Sequence, residues 1–93
     1  ESGTRFKILE AGACNIPLVS TTLGAEGIPV VDGEHLLIAD SPEDFANSIV
    51  RLLKDLPLRK KLANNCSNLV RKSFSVETLA IEANRILHYL SRN

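Results

Sequence analysis

Apolar positions along this chain fall into a few spacings, and each predicts an element. From about Thr4 to Cys14, the apolar residues Phe6, Ile8, Leu9, Ala11 and Ala13 predict a helix. Ser2-Gly3-Thr4 reads as the loop before it, with Ser2 or Thr4 placed to cap the first amides. Asn15 predicts the stop, because Asn tolerates the left-handed backbone in which helices often end. Ile16-Pro17-Leu18-Val19-Ser20 and His35-Leu36-Leu37-Ile38-Ala39 are short apolar runs that predict buried strands. Pro17 suits the beginning of a strand, where a missing donor is tolerated. Between the runs lie a glycine-bearing loop, Thr21–Gly27, an extended stretch, Ile28–Val31, and a turn at Asp32-Gly33.

The remaining pattern is helical. Ser41-Pro42-Glu43-Asp44 combines a capping hydroxyl, a proline suited to the first turn and acids favoured by the helix dipole. Phe45, Ile49, Leu52 and Leu53 then share one helix face. Asp55-Leu56-Pro57 breaks that helix and starts the next, lined by Leu58, Leu62, Cys66, Leu69 and Val70. Ser75 caps a third, whose face carries Val76, Leu79, Ala83, Ile86, Leu87 and Leu90.

Helix, strand, strand, then helices is the order of an α/β domain with a parallel sheet. The fold class expected is a partial Rossmann-like three-layer domain, a short parallel sheet flanked by helices. A doubly wound sheet has roughly five or six strands, and buried parallel strands need neighbours on both sides. Further strands are therefore expected upstream. The chain contains no methionine and opens on Glu1, which also leads us to expect a piece of a longer protein. Residues 1–93 are expected to be a single C-terminal fragment, with 75–92 as its closing helix.

Composition narrows the function. With 93 residues and 44% apolar content, the chain suffices for one small domain. Eleven acidic and eleven basic residues cancel, which argues against nucleic acid as the main partner. The basic groups Arg59–Lys61 and Arg71–Lys72 lie in helical patterns and read as solvated faces. Cys14 and Cys66 have no metal-ligand spacing and are expected to be reduced and buried, in a cytoplasmic protein. No run suits a membrane helix, no signal peptide is visible, and neither metal nor cofactor is expected. His35 and His88 are expected to be structural or exposed rather than catalytic.

Two loops run toward the carboxyl edge of the expected sheet, where ligands of such folds bind: Ser2–Arg5 and Ser20–Gly27. A glycine turn into a helix leaves free amides at a positive dipole end, which suits a phosphate, and Arg5 adds charge. The same Ser-Gly-Thr turn also serves as a plain cap. Glu10 stands among apolar neighbours, either on a solvated face or held for a ligand hydroxyl.

The segments Thr4-Arg5-Phe6-Lys7-Ile8-Leu9-Glu10-Ala11, Asn15–Thr21 and Gly24-Ala25-Glu26-Gly27-Ile28 resemble the donor-binding region of glycosyltransferases with the two-Rossmann-domain (GT-B) fold. The group 1 family is the nearest in pattern; it is retaining, and it includes sucrose synthase and many bacterial glycan and lipopolysaccharide enzymes. Asp32–Leu37, Ser41–Phe45, Leu52–Leu58 and Phe74-Ser75 resemble its later segments. The resemblance implies that Ser2, Gly3, Thr4 and Arg5 hold the diphosphate of a nucleotide-sugar donor, and that Glu10 holds its ribose. The family often carries two glutamates with seven residues between them; the first would stand where this chain has Ser2. Asn15 likewise replaces the usual glycine. The resemblance implies sugar transfer to an acceptor hydroxyl, with no catalytic residue in this chain and no metal. The sugar or lipid-linked acceptor would sit on an N-terminal domain outside the chain. It implies a fragment inactive alone and prone to self-association through its last helix, and a parent that is cytoplasmic or membrane-peripheral. The rival readings are a nucleotide-sugar epimerase of the same fold and a non-catalytic α/β interaction module.

Overall fold

The first helix, α1 (Ser2–Ala13), ends through Asn15. That residue takes φ 58°, the left-handed conformation its short polar side chain tolerates. Its N–H donates to Gly12 O at 3.2 Å, and the Ile16 N–H donates to Ala11 O at 2.8 Å. These two bonds form a Schellman motif, which satisfies carbonyls that would otherwise be orphaned. At its other end the helix begins at Ser2, so Ser2-Gly3-Thr4 forms its first turn and not the loop expected before it. The computed structural model describes the backbone of residues 2–73 and 76–91, and the side chains of these except 2–6, 76–79, 82 and 86. The cap expected at Ser75 lies outside the described residues.

After α1 come β1 (Val19–Ser20), β2 (Leu37–Ile38), α2 (Pro42–Lys54), α3 (Leu56–Ser73) and α4 (Val76–Ser91). The strands are parallel, with Val19 opposite Leu37 and Ser20 opposite Ile38. Leu37 N–H donates to Leu18 O at 3.1 Å and Ala39 N–H to Ser20 O at 2.9 Å. In a parallel ladder, alternate residues aim their backbone groups at opposite edges. The polar groups of Val19 and Ile38 therefore point away from the ladder. Ile38 N–H is satisfied by the Asp32 carboxylate at 2.8 Å. Gly33, at φ 82°, lets its turn fold back so that its N–H reaches Leu36 O at 2.8 Å, which closes that edge. The outer groups of Val19 have no partner among the described residues.

The strands are shorter than the apolar runs that announced them. Ile16 and Pro17 lead into β1 without pairing, Leu18 contributes only its carbonyl to the ladder, and Ile28–Val31 is not a strand. There the chain turns instead: Ile28 N–H donates to Ala25 O and Val30 N–H to Ile28 O, with Ile28 itself buried.

Two apolar clusters flank the sheet. Ile8 and Leu9 of α1 meet Leu36, Cys66 and Val70 on one face, with Leu18 and Ile38 packed against them. On the other face Leu37 meets Leu52 of α2 and Leu62 of α3, joined by Val19 and Leu58. Helices thus cover both faces, in the three-layer arrangement expected, and α3 contributes to both clusters. At the α1–α3 crossing a Cβ on Gly12 would lie 3.1 Å from Val70 Cβ and 3.3 Å from the Cys66 carbonyl, and nearer still to a Val70 methyl. Glycine is what lets these helices approach.

The face expected on α2 is only partly covered. Leu52 is buried, yet Ile49 is 42% exposed and Leu53 68%. They line a cavity of about 290 Å³ with Pro17, Leu18 and Phe45, beside the open edge of β1. Of the two cysteines, Cys66 is buried as expected, and burial pushes its thiol pKa up. Cys14 is exposed, contrary to expectation, because it lies at the helix end where the chain turns outward. Among the described residues, no helix is long and apolar enough to cross a membrane.

Candidate functional site

A short link, residues 14–18, returns the chain from the end of α1 to the start of β1. Lys7 and Ile8 share a cavity wall with Ser20 and Thr21, so the N-terminal part of α1 lies beside the carboxyl end of β1. This cavity, about 250 Å³ in volume, is lined by Lys7 and Ile8 of α1, Leu18–Thr21 of β1 and its exit, and Phe45 of α2. Its wall follows β1 to Thr21, at the strand end beyond which open α/β sheets bind ligands.

The loop beyond β1 is organised by its threonines. Thr21 Oγ1 accepts the Gly24 N–H at 2.9 Å, and Thr21 O accepts the Ala25 N–H at 3.1 Å. Gly27 takes φ 84°, which a residue with a Cβ rarely adopts. Thr22 reaches across to the segment after β2: its N–H donates to Asp40 Oδ1 at 2.7 Å and its Oγ1 to Asp40 Oδ2 at 2.6 Å. The hydroxyl bond first, and the amide bond second, hold the Asp40 carboxyl below its usual pKa. Ser20, buried under this loop, donates its hydroxyl to Thr21 O at 3.0 Å.

The description of the family "Glycosyl transferases group 1" matches residues 1–55, from α1 through α2. The chain belongs to this family. Every element lining the carboxyl-edge cavity falls within the matched stretch. An uncharacterized glycosyltransferase of Methanocaldococcus jannaschii is 32% identical over 85 residues, covering 89% of this chain and 24% of the relative. A second uncharacterized glycosyltransferase of that organism is 27% identical over 90 residues, covering 95% of this chain and 23% of the relative. An uncharacterized 44.6 kDa protein in the cps region of Klebsiella pneumoniae is 30% identical over 73 residues, covering 78% and 19%. The chain thus spans about a quarter or less of the length of the curated relatives it matches. No solved structure matches it.

Ser2, Gly3, Thr4 and Arg5 form the first turn of α1, and their side chains lie outside the described residues. A helix leaves its first four N–H groups without intrahelical partners, so this turn carries donors that α1 itself does not satisfy. Glu10 follows Lys7 by three residues, placing the two on neighbouring parts of the helix surface. Glu10 is half-buried between Leu9 and Ala11, and its carboxylate has no partner among the described residues. It is neither fully solvated nor enclosed. His35 holds a turn: its Nδ1 accepts the Val31 N–H at 2.9 Å, the structural role expected of it. His88 is exposed on α4, also as expected.

Sequence reasoning missed Thr22 and Asp40. A signal was present, since both follow apolar strand runs directly and so stand at the carboxyl edge. No local pattern joins residues 18 positions apart.

Proposed function

We propose that this chain supplies part of the donor site of a retaining glycosyltransferase with the two-Rossmann-domain fold, as its C-terminal donor-binding half-domain. The enzyme moves a sugar from a nucleotide diphosphate to an acceptor hydroxyl in glycan biosynthesis. The diphosphate lies at the first turn of α1, on the amides and side chains of Ser2, Gly3, Thr4 and Arg5. Glu10, further along that helix, accepts from the ribose hydroxyls. The observation that carries this reading is the family match over 1–55, the stretch that folds into α1 and the carboxyl-edge cavity.

The chemistry follows from charge. As the glycosidic bond breaks, negative charge grows on the departing diphosphate. Fixed amides at a helix N-terminus stabilise that growing charge more than the ground state, and so lower the barrier. The acceptor binds on an N-terminal domain, and this chain alone has no transferase activity. The exposed side chains Leu87 and Leu90 of α4 fit a helix that closes against that domain. Left uncovered, they favour self-association of the isolated chain. The parent enzyme works in the cytoplasm or at the membrane periphery.

The test uses the full-length enzyme with UDP-, GDP- and ADP-sugars. Glu10→Ala, which removes a charge-assisted bond to ribose, weakens donor binding by about 1.5–3 kcal/mol, or roughly 10- to 150-fold. Unchanged donor affinity would remove Glu10 from the site. Product analysis with an acceptor separates transfer from epimerisation of the donor sugar.

A further inference from the structure

Thr22 and Asp40 stand just beyond the carboxyl ends of adjacent parallel strands. Their two hydrogen bonds, at 2.7 and 2.6 Å, are the polar link between the segments leaving β1 and β2 among the described residues. The rest of the Thr21–Gly27 loop is held unevenly. Ala25 and Ile28 anchor its far end in the core. The near end has no such anchor: Leu23 is 66% exposed, and the local bonds there run only within the loop. Asp40 is fixed on its own side, because Ala39 N–H pairs with Ser20 O and Ser41 caps α2. A carboxylate rooted in the scaffold thus grips the near end of a glycine-bearing loop that leaves the wall of the carboxyl-edge cavity at Thr21.

We infer that Asp40 is a positioning residue of the transferase: through Thr22 it sets the Thr21–Gly27 loop at the cavity mouth, and that placement sets the affinity for the donor. The inference rests on the donor-site reading above. Asp40 has no role in the bond-breaking step. Its loss is felt in donor binding and not in turnover or in the acceptor.

The experiment compares wild type, Asp40→Ala, Asp40→Asn and Thr22→Val in the full-length enzyme. Steady-state kinetics are measured for donor and acceptor, with thermal melting and hydrogen exchange of the loop amides. Asp40→Ala is expected to raise donor KM about tenfold, leaving kcat and acceptor KM within about twofold. Exchange at the loop amides is expected to quicken. Asp40→Asn keeps an oxygen for the Thr22 N–H and recovers much of the donor KM. Thr22→Val loses only the hydroxyl bond, and carries the same comparison should Asp40→Ala fold poorly. Unchanged donor KM in Asp40→Ala overturns the inference, as does a parallel fall in every kinetic constant and in Tm. Glu10→Ala, run alongside, judges the ribose contact separately: the Asp40 result is read from donor KM whichever way Glu10 falls.

Discussion

At Gly12 the fold depends on a missing methyl group. An alanine there gains helix propensity of about 1 kcal/mol, but its Cβ meets Val70, whose branched side chain has essentially one rotamer in a helix. Overpacking costs about 1–3 kcal/mol, so the collision wins. Gly12→Ala should lower stability by up to about 2 kcal/mol in urea denaturation. Adding Val70→Ala should make the pair less destabilised than the two single effects summed. Asp40 offers a second test at this scale. The two bonds from Thr22 hold its carboxyl below the ordinary Asp range in the folded chain, so its grip on Thr22 is complete above that range and is lost only as pH falls through the lowered folded value. The Thr22 amide proton, followed by NMR, should titrate with a midpoint below the usual Asp range; a midpoint within or above that range would mean the carboxylate does not hold that amide. Neither residue announced these roles in the sequence. What faces Gly12 is set by a helix crossing, and what faces Asp40 by strand pairing. Asn15, whose role needs only its own backbone, was legible.

At the scale of elements, the clearest signals were those that complete themselves locally. Ser41 takes an extended backbone and its Oγ accepts the Asp44 N–H at 3.0 Å, with Pro42, Glu43 and Asp44 in the first turn, as the sequence pattern implies. Ser41→Ala should cost about 0.5–2 kcal/mol, whereas Ser41→Asp should retain most of the stability in thermal melting. The break at Asp55 is equally local: its carboxylate accepts the Leu58 N–H at 2.9 Å and so starts α3. Strands were legible as apolar runs but not in extent. Pairing decides their length, and among the described residues β1 has a neighbour on one side only. The same cause leaves Ile49 and Leu53 exposed on a helix face that periodicity marks as buried. Glu10 was legible as an anomaly.

For the whole molecule, the layers explain why the candidate site gathers residues distant in sequence. Parallel pairing brings the exits of β1 and β2 together, and the N-terminal part of α1 lies beside the same end. Conversely, the two edges of the sheet are unlike. On β2 the Asp32 carboxylate takes the Ile38 N–H and the Gly33 turn takes the Leu36 carbonyl at the outer edge, whereas on β1 the outward groups of Val19 have no partner among the described residues. A building block with one adhesive side and one blunt side cannot polymerise through them. Two copies joined by their Val19 edges leave only blunt sides outward, so this mode of association ends in a closed pair and not a fibre. With Leu87 and Leu90 both changed to Ser, so that α4 does not contribute, sedimentation of the 93-residue chain across a concentration series should then show growth that stops at the dimer. A ladder of larger species would place the adhesion on another surface.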